Sequence, residues 1–230
     1  MMFGNTADYL PHKPVREFER RETIYDAQNP TRRLYMVVVG RVKVTNVSPD
    51  GTQTIVRIAG PEALFGESSL IPTPGRRESA VALDRSAVMT WDPDEIELQI
   101  ERMPMLGMAL SRYFVTQSLE LQQRIIAMSA YGIPKRVSVS LLQLAETLGT
   151  PREDGSMRMG SLTQNTIAEF VGTSREMLSL EMNRLRRLGM VRYSRQFIDV
   201  YTQALAQSLR EEGLEMVRAS NRELRRVAGF

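Results

Sequence analysis

The chain has 230 residues, 42% of them hydrophobic and 25% charged, and a formal net charge of +3. That length allows one large or two modest domains with proper cores, and the composition is that of a folded globular protein, neither disordered nor fibrous. The absence of cysteine and the single histidine, His12, exclude disulfides, Cys-ligated iron–sulfur clusters, Cys zinc sites and Cys nucleophiles, and they argue against a His-based triad or a His-rich metal site.

Charge is unevenly distributed. Residues 131–230 carry 15 basic and 11 acidic side chains, a balance of +4, while residues 1–130 carry 15 and 16, a balance of −1. No window approaches the roughly 18 continuous apolar residues that span a bilayer. The start of the chain lacks an apolar signal core, so a cytoplasmic location and no membrane partner are expected.

Residues 1–20 are polar with Pro11 and Pro14 and read as a loosely held arm. From Leu34 the pattern is that of strands: Leu34 to Val39, then Val42, Val44 and Val47 alternating with polar residues, an Asp50-Gly51 turn, and Thr54 to Ile58. Short segments follow at Ala63 to Phe65, Ser79 to Leu83 and Ala87 to Trp91, a spacing that suggests a small antiparallel barrel or jelly roll. Between them, Gly66, Glu67 and Ser68 lead to Arg76, Arg77, Ser79 and Ala80. A glycine, hydroxyls and cations so placed suit a phosphate held by backbone N–H groups and a guanidinium, though a solvent loop with a basic tip has the same composition.

After Trp91 the periodicity becomes helical. Asp92 to Ile100 predicts a short helix, and Pro104 to about Met128 a long one, with Leu110, Phe114, Leu121, Ile125 and Met128 on one stripe and Gln117 filling its gap. That length suits a dimer helix better than a core helix. Tyr131 to Pro134 interrupts it, Arg136 to Leu148 predicts another amphipathic helix, and Thr150 to Gly160 a polar loop or hairpin.

The most informative stretch is Leu162 to Val200. Thr163 is a candidate N-cap, Ile167, Phe170 and Val171 follow at helical spacing, and Gly172 ends the helix where a left-handed residue is cheap. Thr173 and Glu176 sit at capping-box spacing, so a second helix starts almost at once, as in a helix-turn-helix. In that helix Leu178, Met182, Leu185 and Leu188 form one face, while Arg175, Ser179, Asn183 and Arg186 form another, bearing groups suited to base edges and phosphates. Beyond Gly189, Val191 to Val200 reads as two strands around Ser194, Arg195 and Gln196, a basic wing. Six arginines against two glutamates between Thr173 and Arg195 call for a polyanionic partner, although a solvated helical hairpin shows the same pattern. Residues 202–230 read as a helical tail.

This order of parts resembles the cyclic-AMP receptor protein and fumarate–nitrate regulator (CRP/FNR) superfamily of bacterial transcription factors over about residues 20–201. Its anchors are Gly66-Glu67 and the run from Ile167 to Glu176. The implied fold is α+β: an arm and cyclic-nucleotide-binding-type β-barrel or jelly roll (1–103), a long dimerisation helix (104–130), a winged helix-turn-helix (131–201) and the tail (202–230). By the same resemblance Arg175 and Glu176 read bases and Thr163 contacts phosphate; the helix face and the basic wing add Thr173, Ser174, Ser179 and Asn183 to the expected DNA interface, with Arg195 holding phosphate. Leu180 stands where cyclic-AMP receptors place a second base-contacting Arg, so a different site preference is implied. The effector pocket departs further. Gly66, Glu67, Ser79 and Ala80 match, but Glu78 replaces the phosphate-binding Arg, and Leu121-Gln122 replace Thr-Ser. An acid beside a phosphate is repulsive, so another effector or none is expected in place of cyclic AMP. The missing cysteines exclude the superfamily's iron–sulfur sensors, and the lone His12 argues against haem. No cofactor and no enzymatic activity are therefore expected; the expected partners are double-stranded DNA, a second copy of the chain and, by resemblance, RNA polymerase. A second reading is a cyclic-nucleotide-binding regulatory subunit acting on a protein partner.

Overall fold

The computed structural model describes residues 6–29, 31–48, 51, 53–71 and 78–211. These form two compact units, residues 6–113 and 114–211, and the division falls inside one long helix.

The first unit opens with α1 (Thr6–Tyr9), followed by β1 (Arg16–Phe18), β2 (Thr23–Tyr25), β3 (Leu34–Val39), β4 (Val42–Val47), β5 (Gln53–Ala59) and β6 (Leu64–Phe65). A 3₁₀ turn at Glu67–Leu70 comes next, then β7 (Glu78–Ala82) and β8 (Ser86–Trp91). The strands lie in two four-stranded antiparallel sheets, ordered β1-β8-β3-β6 and β2-β7-β4-β5. Pairing first with last, second with seventh, third with sixth and fourth with fifth is the winding of a jelly roll, so the unit is a two-sheet sandwich and not a closed barrel. Both sheets contribute to one core, with Phe18, Tyr25, Tyr35, Val37, Val44, Phe65 and Val88 buried together.

The segment 6–20 is not a loose arm. Phe18 is buried, β1 pairs with β8, the Trp91 indole N–H donates to Pro11 O at 2.8 Å, and Lys13 pairs with Glu95. Two- and three-residue strands such as β1 and β2 are too short to show alternation, which is why the polar composition misled. The expected strands from Leu34 to Trp91 are present. Of the expected Asp50-Gly51 turn, Asp50 lies outside the described residues, while Gly51 donates its N–H to Ser48 O at 2.9 Å.

Helix α2 (Pro93–Arg102) begins with a complete capping box between Asp92 and Glu95. Helix α3 (Pro104–Ala130) is one unbroken element of 27 residues. Of its expected stripe, Leu110 is buried, Phe114 and Gln117 are half-buried, and Leu121, Ile125 and Met128 are exposed. The helix also exposes Met108, Val115, Leu119 and Ile126 on a second face, spaced 7, 4 and 7 residues apart.

The second unit continues with α4 (Ile133–Leu148), the hairpin of β9 (Thr150–Pro151) and β10 (Met157–Gly160), α5 (Gln164–Val171), α6 (Arg175–Arg187), β11 (Val191–Tyr193), β12 (Phe197–Val200) and α7 (Thr202–Glu211). The sheet order is β11-β12-β10-β9. Val137, Leu141, Leu144, Ile167, Leu178 and Leu185 are fully or almost fully buried among these elements. Leu205 and Leu209 are buried too, so α7 is part of this core and not an appendage; residues 212–230 of the expected tail lie outside the described residues.

Candidate nucleic-acid interface

Two helices meet at a turn that the sequence dictates closely. Thr163 caps α5 by accepting from Thr166 N–H at 3.1 Å, and its hydroxyl also lies 2.8 Å from that of Thr166. Gly172 ends α5 at φ 73°, a left-handed conformation costly for any other residue. The turn is tied to its neighbours from two sides. Arg124 of α3 donates to Phe170 O at 3.0 Å with its guanidinium 4.2 Å from the Phe170 ring centroid, and Arg136 of α4 donates to Gly172 O at 3.2 Å. Burial lowers the Arg124 pKa below its ordinary value, which makes its anchoring carbonyl bond and ring contact the compensation for desolvating a cation.

The second helix starts one residue later than the capping-box spacing predicts. Ser174 is its N-cap, accepting from Met177 N–H at 3.3 Å, and Glu176 falls in the first turn without reaching the third helical position. Thr173 has its hydroxyl buried with no hydrogen-bond partner among the described residues. Glu176 is nonetheless held below the usual carboxylate range, by its own backbone N–H first and by the Ser174 hydroxyl second.

Helix α6 has the two faces expected, with one correction. Leu178, Met182 and Leu185 are buried, but Leu188 is 53% exposed because the helix stops at Arg187 and the chain turns away through Gly189. Arg175, Glu176 and Leu180 are exposed, and Ser179 is half-buried beside them. Asn183 is also half-buried, and both ends of its amide are occupied within the protein: Nδ2 donates to Ser179 O at 2.9 Å, and Oδ1 accepts from Arg186 at 3.0 Å and from the Tyr193 hydroxyl at 3.2 Å.

The hairpin of β11 and β12 places Ser194, Arg195 and Gln196 at an exposed tip. Below it lies a residue that sequence reasoning missed. Asp199 has no exposed surface, and it accepts two bonds from Arg158, at 2.6 and 2.8 Å, and two from Arg192, at 3.0 and 2.6 Å. These bonds, the Arg158 pair foremost, keep its carboxyl below the ordinary range. Arg192 also reaches Asp154 at 3.0 Å in the β9–β10 connection, while Arg158 lies over the Phe197 ring at 4.1 Å. The six arginines counted from the sequence are therefore not equivalent. Arg184 bonds Glu181 at 2.8 and 3.0 Å, and of the five exposed ones Arg192 is paired with Asp199, while no salt bridge is seen for Arg175, Arg186, Arg187 and Arg195 among the described residues.

In the sandwich, the expected effector residues gather only in part. Gly66 takes φ 83° to start the 3₁₀ turn, Glu67 is half-exposed, Ala80 is fully buried, and Ser79 lies 2.7 Å from the Thr45 hydroxyl. Arg76 and Arg77 lie outside the described residues. Arg57, which the sequence did not mark, donates to Glu67 at 3.3 Å, to Leu64 O, and to the Tyr113 hydroxyl at 3.1 Å. Glu78 accepts from the Tyr25 hydroxyl. The hydroxyls of Ser68 and Ser69 are buried with no hydrogen-bond partner among the described residues.

Comparison with known proteins agrees with both halves. Residues 15–102 match the model of the cyclic nucleotide-binding domain, and residues 135–208 match that of the Crp-like helix-turn-helix domain. A CRP-like cAMP-activated global transcriptional regulator of Mycobacterium tuberculosis is 32% identical over 156 residues, which is 64% of this chain and 65% of that protein, just under two thirds of its length. A global nitrogen regulator of Nostoc is 27% identical over 61% of this chain and 64% of its own. Among solved structures, FixK2 from Bradyrhizobium japonicum shares the fold at a TM-score of 0.72, with 20% identity over 84% of this chain and 96% of that one. A CRP-family transcriptional regulator from Thermus thermophilus superposes at a TM-score of 0.66, with 25% identity over 86% of this chain and 96% of that one. With the sandwich, the long helix and the winged helix-turn-helix in that order, the chain belongs to the CRP/FNR superfamily of transcription regulators.

Proposed function

We propose that the chain is a sequence-specific DNA-binding transcription regulator that acts as a homodimer on an inverted repeat. The observation that carries this is helix α6, which buries Leu178, Met182 and Leu185 and presents Arg175, Glu176, Ser179 and Leu180 outward from a capped N-terminus. Recognition helices of this kind enter the major groove with their N-terminal residues on base edges. Arg175 suits guanine O6 and N7, Glu176 suits cytosine N4, and Leu180 suits a thymine methyl. Thr163, Ser174 and Arg195 are exposed near that helix and are assigned to phosphates, whereas Thr173, with its hydroxyl buried, lies at the turn without offering it to the duplex.

Dimerisation rests on α3. Met108, Val115, Leu119 and Ile126 leave an apolar stripe uncovered, and Arg112 and Gln122 complete alternating steps of 4 and 3, the spacing of a coiled-coil seam. Two copies joined there would set the separation of their recognition helices and so of the half-sites, about one helical turn apart. Cyclic AMP is not the favoured effector, because Glu78 stands where the family places a phosphate-binding cation and Glu67 is bonded to Arg57.

The test is selection of duplexes from a randomised pool, followed by binding at several salt concentrations. Enrichment of an inverted repeat is expected; no preference over random DNA would sink the reading. On the enriched site Arg175→Ala relaxes the preference at one base pair per half-site by about 1–3 kcal/mol. The cyclic nucleotide-binding match supports a second reading, a regulatory subunit acting on a protein, which tight cyclic-nucleotide binding without DNA binding would favour.

A further inference from the structure

The amide of Asn183 is committed inside the protein, and that commitment assigns a role to Arg186, one turn further along the helix. A side-chain amide offers two N–H donors and two acceptor positions on its oxygen. In Asn183 both acceptor positions are filled, by Arg186 at 3.0 Å and by the Tyr193 hydroxyl at 3.2 Å, and one donor is filled by Ser179 O at 2.9 Å. Recognition of adenine by asparagine needs a donor and an acceptor presented together to N6 and N7. What Asn183 has left is a single N–H, which cannot read adenine's donor and acceptor together.

Arg186 shows the complementary pattern. It is exposed, its guanidinium is 5.4 Å from the Tyr193 ring centroid, and one of its N–H groups is fixed on Asn183 Oδ1. The neutral amide and the ring orient the cation without cancelling its charge, and four of its five donors remain. Arg186 follows Arg175 by eleven residues, which at 3.6 per turn puts the two on the same face, and at 1.5 Å per residue about 16 Å apart along the axis. A helix whose N-terminal end faces base edges carries its last turn toward the sugar–phosphate wall of the groove. Tyr193 belongs to β11, so the same contact ties the end of the recognition helix to the wing.

We infer that Arg186 grips a DNA phosphate and that Asn183 and Tyr193 are positioning residues that aim its guanidinium, so that Asn183 reads no base. The ligand is the duplex backbone, whose oxygens accept two parallel N–H bonds from a pre-aimed fork better than from a freely rotating cation. The inference rests on the DNA-binding reading above.

The experiment measures binding of the full chain to its selected duplex, to the same duplex with each base pair replaced in turn, and across a salt series. Arg186→Ala is expected to weaken binding to every duplex by the same factor, about tenfold, and to reduce the slope of log affinity against log salt by about 1. Asn183→Ala and Tyr193→Phe are expected to weaken binding about threefold with the ranking of the duplexes unchanged, and to add nothing once Arg186 is already alanine. That non-additivity is a readout a merely structural role would not move, and Tyr193→Phe keeps the ring in place should Asn183→Ala fold poorly. A salt slope unchanged in Arg186→Ala, or a preference lost at one base pair in Asn183→Ala, overturns the inference while leaving the regulator reading intact. Wild-type protein that binds all duplexes alike overturns that reading first and this one with it.

Discussion

The sandwich and the winged helix handle their polar groups in opposite ways. In the sandwich the groups that line the expected effector region bond to each other: Arg57 to Glu67 and Tyr113, Tyr25 to Glu78, Thr45 to Ser79. In the winged helix one buried carboxylate, Asp199, holds Arg158 and Arg192, which still reach solvent, and the outer face keeps Arg175, Arg187 and Arg195 exposed. That inward-paired network keeps the fold, although the Ser68 and Ser69 hydroxyls beside it are buried with no hydrogen-bond partner among the described residues. A face with exposed cations asks for a polyanion.

The largest expected effect comes from breaking the buried half of that contrast. Asp199→Ala removes the partner of two guanidinium groups in one step. Losing one side of a buried pair costs about 3–5 kcal/mol, and the lower end applies because Arg158 and Arg192 reach solvent at 31% and 52% of their side chains. The second unit should lose about 3 kcal/mol in chemical denaturation followed by far-UV ellipticity. Trp91, the only tryptophan and buried in the sandwich, serves as a fluorescent control whose own transition should hold.

The sandwich yields next. The Tyr113 hydroxyl accepts from Leu64 N–H at 2.8 Å and donates to Leu64 O at 2.9 Å, with Leu64 fully buried. Tyr113→Phe leaves that N–H without its partner, a cost of about 1–3 kcal/mol read as a shift of the Trp91 transition. An unchanged midpoint would mean the network around Arg57 and Glu67 tolerates being opened, and the contrast between the units would weaken.

The sequence made some of this readable and not the rest, for physical reasons. Elements long enough to show a period were legible: β3 to β5, α3, and the helix pair around Gly172. Helix ends were legible to within about three residues: α4 starts at Ile133 and not Arg136, and the capping-box spacing pointed to Thr173 where Ser174 is the cap, because both are hydroxyl residues and only backbone geometry separates them. Strands β1 and β2 were not legible, nor were the long-range partners. Nothing in the spacing of Arg57, Glu67 and Tyr113, or of Asp154, Arg158, Arg192 and Asp199, reveals that each set converges. The candidate DNA face was legible as composition, but which of its arginines stay exposed depends on where Asp199 and Glu181 point.

The cap competition gives a smaller effect. Ser174→Ala removes the acceptor for Met177 N–H and should cost about 1 kcal/mol, the ordinary value of an N-cap. Thr173→Val should cost nothing or stabilise slightly, since the Thr173 hydroxyl is buried without a partner. The reverse ranking in thermal unfolding would restore Thr173 as the cap.

The smallest effect is on the acid limb of the second unit. Asp154 has its pKa lowered to about 2, first by the Ser156 hydroxyl at 2.6 Å and the Ser156 N–H at 3.1 Å, with Arg192 adding to it. A carboxylate with a depressed folded-state pKa contributes stability that is complete above its ordinary value of 3.8 and is lost as the pH falls from there toward 2. Asp199, lowered by Arg158 and Arg192, acts in the same direction. The second unit should therefore lose stability across that window, and Asp154→Asn should make the acid limb shallower by removing one titrating group while leaving the Trp91 transition of the sandwich where it was. A limb of unchanged steepness would show that the Asp154 carboxylate, exposed as it is, gains nothing from folding, and that the wing is held from below by Asp199 alone.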